Sequence, residues 1–104
     1  MLTSMLSSKN KKKPLRWTAK AIKNRLAVWD YIAISEQSPM NAALVDARIL
    51  QAANRLMDFP ESGKPYSSGL RIVFITKTSL ALVYRDTFSF INILRISHQK
   101  KKIL

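Results

Sequence analysis

Three apolar runs in the last third of the chain constrain the fold most: LRIVFI at 70–75, LALVYR at 80–85 and SFINILRI at 89–96. Each is rich in β-branched and aromatic residues. The connectors around Lys77-Thr78-Ser79 and Asp86-Thr87 leave room only for hairpin turns, which predicts a three-strand meander. A sheet this small has an apolar face that another element must cover.

Upstream the period changes from two to about 3.6. Leu15-Arg16-Trp17 reads as a short strand, and Thr18 as the N-cap of a helix running to about Ile34. Ile22, Leu26, Trp29 and Ile32 or Ala33 recur at helical spacing and predict the stripe that packs. Trp17 and Trp29 are both expected in the core. Ser38 and Pro39 suit the start of a second helix, and Ala43, Val45 or Ala47, Leu50, Ala53, Leu56 and Met57 carry it to about Phe59. Pro60 ends that helix, and residues 61–69, with both glycines of the chain, read as a loop. The fold class is therefore α+β: a two-layer β-α-α-β-β-β domain with a helical hairpin packed on a small antiparallel sheet. Residues 1–13 read as a flexible basic tail and 14–104 as the folded domain.

Charge narrows the partners. Eighteen Lys and Arg against six Asp and Glu leave a formal net charge of +12, which points to a polyanion or an acidic protein. The absence of cysteine excludes disulfides, thiolate zinc sites and a cysteine nucleophile, and one histidine cannot build a histidine-rich metal centre. No Gly-x-Ser-x-Gly element or phosphate-cradling glycine loop is present, so neither a metal nor another cofactor is expected. No stretch approaches the ~20 apolar residues of a membrane span, and a cytoplasmic location is expected.

The remaining chemical groups are those of metal-free RNA cleavage, in which a 2′-hydroxyl attacks its phosphodiester and cations stabilise the charge that develops. Arg71, Lys64 and Arg95 could supply positive charge, and Tyr84 or His98 could transfer protons. The structural alternatives are equally concrete. Arg71 and Arg95 could be edge-strand charges that deter aggregation, Tyr84 a core residue with a hydrogen-bonded hydroxyl, and Lys100 to Lys102 a solvated basic tail. Strand alternation puts His98 in register with Leu94 and Ile96, and Arg95 with Ile91 and Ile93. The two can share a site only if a bulge or strand end redirects one of them, which ranks Arg71 with His98 above Arg95.

Read in order, LRWTAKA, WDYIA, SPMNAALV, LMDFPESGKP, GLR, LALVY and INILRISH resemble the RelE/ParE superfamily of bacterial type II toxins over about residues 15–100. The resemblance implies a toxin neutralised by a cognate antitoxin in a hetero-oligomer. RelE-like members cleave mRNA on the ribosome as endoribonucleases, whereas ParE-like members poison DNA gyrase without being enzymes. On the first reading, which is the primary expectation, Arg71, Tyr84 and His98 would be catalytic, and Lys64, Arg95, Lys100 and Lys101 would bind RNA. The Phe-Pro-Glu-Ser-Gly loop and the long helical hairpin are similar to the ParE-like branch.

Overall fold

A computed structural model of the chain describes residues 13–99. The expectations for residues 1–12 and for Lys100 and Lys101 lie outside the described residues. The elements run β1 (Leu15–Trp17), α1 (Ala19–Asp30), a π-helical turn (Tyr31–Ser35), α2 (Pro39–Asp58), β2 (Lys64–Pro65), β3 (Arg71–Phe74), β4 (Leu80–Asp86) and β5 (Ile91–His98). Both helices start at the predicted caps. The Thr18 hydroxyl accepts from the Ala21 amide at 3.1 Å, and the Ser38 hydroxyl from the Asn41 amide at 3.3 Å, with Pro39 in the first turn.

The sheet has five strands in the order β1-β5-β4-β3-β2. The predicted meander forms its centre, but β1 pairs parallel to β5, so the sheet is mixed, and Lys64–Pro65 adds a short strand within the expected loop. Both edges are short, and one carries lysine and proline, which suits strands that must not recruit a neighbour. Arg71 and Arg95 lie on interior strands β3 and β5, so neither is an edge charge.

The helices cover one sheet face. There Ala21, Ile49, Ala53 and Leu56 meet Leu82, Tyr84, Ile91 and Ile93, all buried. Of the stripe predicted for the first helix only Ile32 is buried: Ile22 and Leu26 are 47% and 60% exposed, and Trp29 is 37% exposed beside them. Ala21 and Val28 pack toward the sheet in their place. Both sets are spaced helically, and the choice goes to the set whose smaller Ala21 allows close approach to β5, with Asn24 on that side for a polar reason.

That reason is a β-bulge. Val83 pairs with Arg95 and Tyr84 with Ile93, leaving Leu94 as the extra residue. The bulge moves the core-facing set from Ile91 and Ile93 to Ile96. Its backbone groups are satisfied from α1: Thr18 Oγ1 donates to the Leu94 carbonyl at 2.9 Å, and Asn24 Oδ1 accepts from the Ile96 amide at 2.9 Å. Arg25 also binds Asp46 through two nitrogens, at 2.8 and 3.0 Å, tying α1 to α2.

Candidate functional site

The loop after α2 is fastened from beneath by two of the predicted catalytic residues. Tyr84 is wholly buried, and its hydroxyl donates to the Pro60 carbonyl at 2.7 Å while accepting from the Gly63 amide at 3.0 Å. Arg71, the register partner of Tyr84 on β3, donates through Nη1 to the Gly63 carbonyl at 2.7 Å and to the Glu61 carbonyl at 3.4 Å. Gly63 is required for this approach: a Cβ there would lie 2.7 Å from the Tyr84 hydroxyl and 2.9 Å from the Ile72 carbonyl. Burial pushes the Tyr84 phenol above its ordinary value, opposed in part by the Gly63 hydrogen bond and the Arg71 charge. A phenol held neutral with both hydrogen-bonding directions occupied is poorly placed to move a substrate proton.

His98 stands at the other end of β4. Arg71 pairs with Tyr84 and His98 with Leu80, so they are separated by four residues of β4, about 13 Å along the strand. Arg71 and Tyr84 therefore form one cluster, and His98 is not part of it. Nor does the bulge join His98 to Arg95, because it lies before both, and the two still alternate across the sheet.

His98 instead borders an open groove of about 850 Å³ between α1, the π-helical turn and the β3–β4 and β5 ends. Its floor includes Val28, Ile32, Leu80 and Ile96, and Lys20 and Lys77 stand with His98 among its polar lining. Lys77 holds a left-handed backbone, φ 60°, where glycine or asparagine is the usual occupant. A lysine at that position is a local cost that places a cation at the groove. The π-helical turn contributes Tyr31, 59% exposed, to the same wall.

The predicted binding cations go elsewhere. Lys64 lies on β2 with its ammonium 5.2 Å from the centre of the Phe74 ring. Arg95 also borders the groove, but its guanidinium lies 6.0 Å from the Tyr66 ring, on the sheet face away from the helices. Sequence reasoning missed Gly63, Asn24, Lys20 and Lys77. Gly63 had a signal, since it is one of only two glycines in the chain and the other, Gly69, is accounted for by its positive φ of 77°. The lysines had none, because only the fold brings them beside His98.

This architecture defines a small basic α+β protein of the RelE/ParE type. Residues 15–103 match the family model described as the ParE toxin of the type II toxin–antitoxin system parDE, and the chain belongs to that family. Among solved structures it is similar to the chromosomal ParDE system from P. aeruginosa, at 24% identity and a TM-score of 0.73, over 84% of this chain and 96% of that one. It is also similar to the toxin–antitoxin complex RelBE2 from Mycobacterium tuberculosis, at 19% identity and a TM-score of 0.63, over 84% of this chain and 98% of that one. At these identities the likenesses show the fold. No curated protein matches the chain.

Proposed function

We propose that this toxin acts without catalysis, by binding DNA gyrase, and is neutralised by a cognate antitoxin. The observation that carries this reading is the use of Tyr84 and Arg71 as loop fasteners, with His98 about 13 Å farther along β4. A nuclease acting through these three residues would need them around one phosphate. The antitoxin is supported by the family and by the toxin–antitoxin systems named for both structural relatives. An acidic, amphipathic antitoxin segment fits the His98 groove, with apolar side chains toward Val28, Ile32 and Leu80 and carboxylates toward Lys20 and Lys77.

The test is a pair of assays on the purified chain. Inhibition of gyrase supercoiling, or gyrase-dependent DNA breaks, with intact mRNA on translating ribosomes is the expected result. Ribosome-dependent mRNA cuts that disappear in His98→Ala, with gyrase unaffected, would replace this reading with the RNase reading, for which the exposed His98 beside two lysines would then supply the proton-transfer group.

A further inference from the structure

The helices cover one face of the sheet, and the other face carries a pattern that the loop fasteners do not use and of which only Arg95 also borders the groove. Register places its side chains in rows. Arg16 pairs with Asn92, and Asn92 with Arg85, giving a row across β1, β5 and β4 with an exposed arginine at each end. The next row runs Arg95, Val83, Ile72, Lys64 across β5, β4, β3 and β2, again with a cation at each end. The strands contain one carboxylate, Asp86, which belongs to the opposite register and is bonded by Lys13 at 2.7 Å. The strand positions of this face thus present four cations and no acid.

Aromatic rings accompany those cations. Arg16 lies 4.2 Å from the centre of the Phe90 ring, Lys64 5.2 Å from that of Phe74, and Arg95 6.0 Å from that of Tyr66. Phe88, in the turn beside the first row, is 97% exposed. An exposed phenylalanine ring offers a flat apolar surface on which a base can stack. Ile72, Ala81 and Val83 are buried, with Tyr66 and Leu70 packed against them, so the centre of this face is closed and the cations stand around its rim.

We infer that the rim of the sheet face away from the helices binds single-stranded DNA, the cations meeting phosphates and the exposed rings, with Phe88 in the adjoining turn, stacking on bases. A single strand is favoured over a duplex because stacking needs unpaired bases, and over an acidic polypeptide because carboxylates would use the cations and leave the rings without partners. The inference goes beyond the gyrase reading and rests on it only for the choice of DNA over RNA.

The experiment is fluorescence anisotropy of the full chain with labelled oligothymidylate of about 12 nucleotides, a length within the span one small domain covers. Competitors are the matching oligouridylate, a duplex of equal length, and polyglutamate. If each of the four cations meets a phosphate, the slope of log affinity against log salt is about −2.8. Arg16→Gln with Arg85→Gln should cut that slope roughly in half, and Phe88→Ala should weaken binding at least about fivefold. Lys23→Gln with Arg55→Gln, on the helices, should change binding less than twofold. Equal losses from the helix and sheet variants, tighter duplex or polyglutamate binding, or a clear preference for oligouridylate would each overturn the inference. Wild-type oligothymidylate binding by the sheet variants with gyrase inhibition intact would sink this surface alone. Binding that behaves as described, with gyrase unaffected, would sustain the surface and remove the gyrase target.

Discussion

Tyr84 sits where a catalytic reading and a structural reading make opposite demands on one hydroxyl, and its partners favour the structural one. Removing that hydroxyl in Tyr84→Phe leaves the Gly63 amide and the Pro60 carbonyl without it, and should cost about 1–3 kcal/mol in denaturant unfolding. The pH dependence carries a further signature. Because the folded phenol titrates above its ordinary value, its contribution is complete below about pH 10 and is lost as pH rises through the folded value. Wild type should therefore lose stability above about pH 10 more steeply than Tyr84→Phe, the difference isolating this group from the other tyrosines and the lysines. Gly63→Ala tests the same contact from the other side. With a Cβ forced to 2.7 Å from the Tyr84 hydroxyl, it should destabilise by about 1–3 kcal/mol, visible as a lower midpoint with an unchanged denaturant slope. The tyrosine was legible in the sequence both as a chemical group and as a core residue. Its role depended on a loop about 20 residues upstream, which no local pattern addresses.

At the level of elements, α1 shows how two helical stripes compete within one segment. Ile22, Leu26 and Trp29 are the larger and more periodic set, yet they face outward, around a small depression shared with Arg25 and Asp46. Substitution there should be mild: Leu26→Gln is expected to move stability by no more than about 0.5 kcal/mol, whereas Leu56→Ala, fully buried in α2, should cost about 2–5 kcal/mol. The decisive feature on the buried side is polar. Asn24 satisfies the Ile96 amide at the bulge, and a polar residue on a helix is ordinarily assigned to the solvent face. Asn24→Ala should cost about 1–3 kcal/mol and accelerate hydrogen exchange at Ile96 specifically, a local effect that general loosening of the helix would not reproduce. The strands were more legible than the helices because alternation is short-ranged and the hairpin connectors allow little slippage. Even so, the bulge at Leu94 changed which residues of β5 face the core.

For the whole molecule, the sequence by itself determined the α+β class, the two helices with their caps, the meander, and a basic surface suited to acidic partners. These follow from local periodicity, capping chemistry and total charge, all properties of neighbouring residues or of composition. The ordered set of motifs was also sufficient to indicate the RelE/ParE superfamily, in which the ParE family match now stands. Only the tertiary structure decided that Arg71 and Tyr84 fasten the 60–63 loop, that His98 borders a separate groove with Lys20 and Lys77, and that Arg16, Arg85, Arg95 and Lys64 share the sheet face away from the helices. Each of those outcomes depends on register between strands or on which side of a helix is buried. The sequence carries both possibilities at nearly equal local energy, and only packing against distant residues separates them.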